Sequence, residues 1–299
     1  LSRFTKPLAG FDAGPLYAIL AYGTWGLLPI YWKFFSQVQP VEVLSHRILW
    51  SALFLCSLLW LQGRQAEFRA VWQPQKLRAL LLTALLLAFN WGLYIYGVNT
   101  DRVIETSLGY FINPLVSVLL GLLFLKEQLN RSQQMAVALA AVGVGYFIWQ
   151  FGAVPWIALA LAVSFAFYGL LRKVTQVAPM AGLAVETLLI TPLSIAILAY
   201  GSSTGTGHWS QSWRLNLLFI GCGVITSMPL LWFNNAAKRL KLATLGFFQY
   251  MAPSIQLGLG VFLYREPFTQ THLITFACIW AALVLYTAAS LRQQQLASS

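Results

Sequence analysis

Most of this 299-residue chain falls into apolar runs with almost no charge, each about 20 residues long and so able to cross a bilayer as a helix. In hydrocarbon every backbone N–H and C=O must be paired within the protein, so only helices and closed barrels span. Barrel strands alternate apolar and polar residues. These runs are continuously apolar, which predicts an all-α membrane protein. Composition agrees: hydrophobic residues make up 59% and charged residues 9%, where a soluble domain carries about a quarter charged. Ten transmembrane helices are expected, near 14–35, 41–61, 76–99, 102–125, 132–150, 153–174, 182–201, 213–236, 240–263 and 269–290. The first run is of span length, which predicts a retained helix rather than a cleaved signal. The longest connections are 62–75 and 201–212, the second a Gly/Ser/Thr-rich loop with no hydrophobic pattern.

A net charge of +11 raises the question of nucleic acid, but the charge is sorted by side. The N-tail, the connections after even-numbered spans and the C-tail hold Arg3, Lys6, Arg64, Arg69, Lys76, Arg78, Lys126, Arg131, Arg172, Lys173, Lys238, Arg239, Lys241 and Arg292. The opposite side has Lys33, Arg47, Arg102, Arg214 and Arg265. Lys and Arg in short loops stay cytoplasmic, which predicts a cytoplasmic N-tail (1–13) and C-tail (291–299). No basic patch is interleaved with aromatics, so nucleic acid is not expected as a partner. Cys56, Cys222 and Cys278 fall singly in separate runs. They suit small buried positions, and no metal or other cofactor is expected.

Two halves of the chain carry one signature. Pro114 lies in an apolar run ending in Lys126-Glu127, and Pro253, 139 residues on (253 − 114), lies in one ending in Arg265-Glu266. Pro40 and Pro179 open apolar runs at the same offset (179 − 40). Leu108-Gly109-Tyr110-Phe111 answers Leu245-Gly246-Phe247-Phe248 with a two-residue slip. The expected repeats are 14–150 and 153–290, five spans each. An odd number makes the second copy enter from the opposite face, giving inverted repeats around a central cavity. The basic-acidic pairs either anchor helix ends or latch a gate, and the prolines either kink helices for gating or only shape them.

Polar groups within the spans need partners or water. Glu42 and His46 share a helical face, and Arg47 beside them cannot lose its charge. Position 186 (47 + 139) in the second copy is Glu186. Arg47 and Glu186 are therefore read as a structural or gating ion pair, with substrate contact and snorkelling as alternatives. Asn90, Trp91 and Tyr94 in span three, Tyr110 and Asn113 in span four, Tyr168 in span six, Gln249 in span nine and Trp25 in span one form the candidate substrate-binding set. For each Asn, interhelical hydrogen bonding is the competing reading. Aromatic walls with a few amides suit a small, partly apolar molecule such as a metabolite, an amino-acid-like compound or an amphiphilic drug. No Walker loop, HExxH or GxSxG pattern is present, so neither ATP drive nor catalysis is expected.

Trp25-Gly26-Leu27-Leu28-Pro29, Glu42 through Arg47, Asn90-Trp91, Glu105 through Pro114, Ser164 through Lys173, Ser227 through Leu231 and Leu245 through Tyr250 together resemble the RarD-type permeases of the EamA family, in the drug/metabolite transporter superfamily. The likeness covers nearly the whole chain. It implies a bacterial inner-membrane protein of ten helices with cytoplasmic termini, two inverted EamA repeats and a cavity between spans one, three, four, six, eight and nine. Trp25, Asn90, Trp91, Tyr110, Asn113, Tyr168 and Gln249 match family segments on those spans. Tyr264-Arg265-Glu266-Pro267 departs from the family by having Arg where a small residue is more usual. The RarD label is attached to chloramphenicol sensitivity, and family members mostly export metabolites or drugs. The resulting expectation is a secondary exporter working by alternating access. The alternative is a membrane enzyme or a non-transporting partner subunit at the lipid interface. Coupling and oligomeric state stay open.

Overall fold

A computed structural model describes residues 13–125, 131–175, 177–237, 239 and 248–298. Among these it is helical, with no strand. The helices are α1 (Gly14–Lys33), α2 (Pro40–Leu61), the short α3 (Gln65–Arg69), α4 (Pro74–Asn99), α5 (Val103–Leu125), α6 (Arg131–Phe151), α7 (Trp156–Thr175), α8 (Pro179–Ser203), α9 (Trp213–Ala237), α10 (Met251–Gly258), which runs on as a π-turn (Leu259–Leu263), and α11 (Gln270–Ser298). Pro40, Pro74 and Pro179 each open a helix, where the missing N–H costs nothing and the fixed φ favours helical entry. Among the described residues, six helices are long and apolar enough to cross a membrane: Pro40–Leu61, Pro74–Asn99, Val103–Phe124, Arg131–Gln150, Pro179–Ser203 and Trp213–Phe233. Trp156–Arg172, Met251–Leu263 and Gln270–Tyr286 are shorter apolar helices.

Three details differ from expectation. The loop 62–75 contains a helical turn, α3, which Arg64 steadies through Glu67 at 2.8 and 2.6 Å. Helix α11 runs past residue 290 to Ser298. Pro114 lies inside α5, but Pro253 sits in the first turn of α10, three residues after a turn at Tyr250. A proline ring clashes with the carbonyl four residues back and removes its hydrogen bond. The two prolines therefore sit differently in their helices. Lys126-Glu127 and Leu245 through Phe247 lie outside the described residues.

Packing brings α5 onto α7, α11 onto α6, α2 onto α8 and α9, α1 onto α9 and α10, α4 onto α7 and α8, and α10 onto α5. One core gathers Trp32, Phe35, Val43, Tyr94, Ile95, Leu161, Phe219 and Cys222 from α1, α2, α4, α7 and α9. Another gathers Leu108, Phe111, Ala140, Leu257, Phe276 and Ile279 from α5, α6, α10 and α11. Trp60, Trp149, Tyr200 and Trp213 are exposed near helix ends, where amphipathic rings sit at a membrane's headgroup level. Exposed Leu53, Leu82, Leu85, Leu193 and Val284 on helix flanks fit contact with lipid rather than water.

Candidate functional site

Helix α2 faces both halves of the fold. Its Arg47 is 5% exposed, and the guanidinium carbon lies 3.9 Å from the Trp91 ring centroid and 4.8 Å from that of Trp32. Two indole faces thus hold one cation by cation–π attraction. Tyr110, Cys222 and Tyr94 are the titratable groups near enough to act on it. Tyr94 and Tyr110 meet edge to face at 5.6 Å. Arg47, Trp91, Tyr94 and Tyr110, expected near a substrate path, are thus brought together. Trp32 joins them without any signal that reading single spans would raise.

The expected ion pair between Arg47 and Glu186 is not formed. Glu186 is 1% exposed and belongs to a different cluster. Thr83 Oγ1 donates to its Oε1 at 2.6 Å, the Tyr168 hydroxyl donates to Oε2 at 3.3 Å, and Arg172 Nη1 lies 3.6 Å from Oε1. The reason is geometric: α8 packs on both α2 and α4, and Glu186 bonds on the α4 and α7 side. Equivalent sequence positions in two repeats need not face each other.

The other candidates divide between holding helices and lining space. Asn90 Nδ2 donates to the Leu161 carbonyl at 3.0 Å and to Ser164 Oγ at 2.9 Å. Asn113 Nδ2 donates to the Ala162 carbonyl at 3.0 Å. Both amides staple α4 and α5 onto α7, the interhelical alternative foreseen for them. Tyr168 is tied to Glu186. Trp25 packs with Tyr22 at 5.3 Å and Phe233 at 5.9 Å, and Gln256 Nε2 donates to its carbonyl at 3.1 Å, joining α10 to α1. Gln249 is half-buried ahead of α10.

The end of the bundle with few basic residues is tied by acids that accept backbone N–H groups of other elements. Glu266 is 8% exposed, and its two oxygens accept from Val103 at 2.7 Å and Ile104 at 2.8 Å. A carboxylate at a helix N-terminus satisfies orphan donors and the helix dipole together. Glu105 accepts from Ile157 at 3.1 Å at the start of α7. Glu42 accepts from His208 N at 2.6 Å, with His208 Nδ1 at 2.8 Å. Lys33 pairs with Asp101 at 2.5 Å. The loop 201–212, featureless as sequence, docks Trp209 against His46, with ring centroids 5.2 Å apart. His46 in turn stacks on Phe219 at 3.9 Å. A cavity of about 350 Å³ lies here, lined by Glu42, His46, Trp50, Trp209 and apolar residues of α8. Arg265 is exposed in the left-handed region at φ 54°, a backbone reason for a small residue to suit that position.

Glu266 supplies a pH test. Burial pushes its carboxyl above the ordinary range. The Ile104 and Val103 amides and Lys33 oppose this, and Asp101 adds to it. A seated Glu266 therefore binds a proton more readily than a released one. The seat weakens as pH rises from the ordinary carboxylate value to the raised one, and changes little beyond. Hydrogen exchange of Val103 and Ile104, corrected for intrinsic rates, should accelerate across that window in the wild type. In Glu266→Gln it should show no such step. Slower exchange across the window in the wild type would contradict the assignment.

Among the described residues, six helices long and apolar enough to span, with apolar side chains exposed on their flanks, define a multi-pass membrane protein. The chain belongs to the EamA-like transporter family, whose model matches residues 12–149 and again 153–288. It is 48% identical over 281 residues, 93% of each chain, to an uncharacterized transporter of Vibrio cholerae. It is 45% identical over 276 residues to protein RarD of Salmonella typhi, covering 91% of this chain and 94% of that one. A solved crystal structure matches with a TM-score of 0.62 at 17% identity, covering 92% of this chain and 97% of that chain. It adds a likeness of fold alone. The protein is a RarD-type permease of the EamA family.

Proposed function

We propose that the protein is a secondary transporter, moving small metabolites or drugs across the bacterial inner membrane by alternating access to a central site. Its ten spanning helices would form two inverted repeats, 14–150 and 153–290, with both termini cytoplasmic. One observation carries this reading: the larger helix packings map onto one another under exchange of the halves, although α2 on α4 has no counterpart in α8 on α9 among the described residues. Swapping α1, α2, α4, α5 and α6 for α7, α8, α9, α10 and α11 turns α5 on α7 into α10 on α1. It turns α2 on α9 into α8 on α4, and α1 on α9 into α7 on α4. The pairs α2 with α8, α5 with α10 and α6 with α11 map onto themselves. Five helices per copy make the copies enter the membrane from opposite faces.

The reading also accounts for the acid-tied end, which the charge distribution assigns to the outside. Glu42, Glu105 and Glu266 would be an outer gate in its closed position, released when the inner end closes. Trp91, Tyr94 and Tyr110 would contact substrate, with Trp25 and Gln249 on the α1–α10 side. Asn90, Asn113 and Tyr168 would hold the helices that shape the site.

Single cysteines along α5 and α10, in a background lacking Cys56, Cys222 and Cys278, test this. Positions at the depth of Tyr110 should react with a membrane-impermeant maleimide from either side, in different proportions when transport is driven. Reconstituted protein should exchange at least one member of a panel of amino acids, amines and amphenicols. A site reachable from one side only, with no exchange of any panel member, would favour an enzyme or partner subunit at the lipid interface.

A further inference from the structure

Arg47 is buried with no carboxylate of the described residues paired to it. A guanidinium does not deprotonate in proteins, yet its Nε and Nη1 have no hydrogen-bond acceptor among the described residues. The groups acting on it are two phenols and a thiol. The nearby acid that the sequence arithmetic offered, Glu186, is engaged by Thr83, Tyr168 and Arg172. Trp32 Nε1 and the Tyr94 hydroxyl, also buried, likewise lack partners among the described residues. Donor side chains from α1, α2 and α4 therefore meet with their N–H and O–H groups unspent, and no described carboxylate receives them. Indole faces soften the charge, but a buried cation with no counter-ion is a large debt for a fold to carry. Water can satisfy the hydrogens and leaves the charge uncompensated.

We propose that Arg47, with Tyr94 and Trp32, is the anion-binding point of the transport site, and that the substrate carries one carboxylate on an apolar or aromatic body. This rests on the transport reading and narrows it. A planar guanidinium presents two parallel donors matched to a carboxylate. One guanidinium suits one carboxylate. Trp91, Tyr94 and Tyr110 offer ring surface to the rest of the molecule.

The test uses the full chain in nanodiscs. Calorimetric binding is measured for phenylacetate, indole-3-acetate, hexanoate and phenylalanine, and for phenylacetamide and phenethylamine as partners differing in charge. At least one acid should bind, and the matching amide about tenfold or more weaker. Arg47→Gln should weaken the acid by about thirtyfold and leave the amide unchanged, and Arg47→Lys should keep part of the affinity. Tyr94→Phe keeps the ring and should cost the acid about threefold to tenfold. Because Arg47→Gln removes an uncompensated charge, its ligand-free midpoint of unfolding should stay level or rise. The proposal fails if no panel acid binds, if acid and amide bind alike, or if Arg47→Gln binds the acid undiminished. It also fails if ligand-free Arg47→Gln unfolds about 5 °C or more below wild type, which would make Arg47 a structural clamp. Counterflow in liposomes separates the two readings. An acid bound through Arg47 but never moved sinks transport and leaves the site. A neutral amphenicol moved equally well by wild type and Arg47→Gln, with no acid bound, does the reverse.

Discussion

Glu186→Ala should lower stability by about 3–5 kcal/mol, the usual cost of breaking a buried ion pair by removing one partner. Arg172 would lose its counter-ion, and Thr83 and Tyr168 would lose the acceptor that joins α4 and α7 to α8. Chemical unfolding in detergent, followed by tryptophan emission, measures the loss. Glu186→Gln keeps an acceptor for both hydroxyls and should cost clearly less. The partner can be identified by charge exchange: Arg172→Glu with Glu186→Arg should recover part of the loss, while Arg47→Glu with Glu186→Arg should recover none. Recovery by the Arg47 exchange alone would restore the pairing that sequence offsets suggest and this geometry denies.

Gly109→Leu should abolish accumulation of folded protein, the second large effect. A Cβ at position 109 would stand 2.8 Å from the Ala158 carbonyl oxygen and 3.0 Å from the Ala158 Cα, backbone atoms of α7 that cannot step aside. Small residues let membrane helices approach at such contacts. Even Gly109→Ala should cost about 1–3 kcal/mol through overpacking. Gly145→Ala is the control, since nothing lies within 4 Å of a Cβ there. The amount of monodisperse protein extracted from membranes, by fluorescent-tag chromatography, reads both. Normal yield of Gly109→Leu would mean α5 and α7 are not packed as described.

The third expected result, pH-dependent release of the Val103 and Ile104 amides, tests the tie between Glu266 and the start of α5. Glu266 and Arg265 illustrate how legible that end is in sequence. Their position at a span end can be read directly. That Glu266 turns inward to cap α5, while Arg265 turns out in a left-handed conformation, depends on a π-turn and on where α5 begins. His208 and Trp209 leave no trace of their role, because a loop with no period gives no sign of what it folds over.

The helices were legible because their cause is local. Lipid demands internally paired backbone, and a long apolar run can meet that demand only by coiling. Arg47, Trp91, Tyr94 and Tyr110 were legible as polar or aromatic residues where hydrocarbon makes them costly. Their partners were not. The offset of 139 pointed Arg47 at Glu186, yet a side chain's neighbours depend on helix rotation and crossing depth, which no offset encodes. Asn90 and Asn113, equally conspicuous in sequence, spend their amides on carbonyls of α7. Trp32, an ordinary aromatic near a helix end, turns out to be half of the clamp on Arg47.

By itself the sequence determined the solvent and the helical secondary structure, which follow from composition and the length of its apolar runs, and its motifs carried the likeness to the family. Only the tertiary structure decided which buried charges have counter-ions. Among the described residues Glu186 has one and Arg47 does not, because α4 and α7 reach the first and three aromatic-bearing helices surround the second. That difference follows from packing in three dimensions.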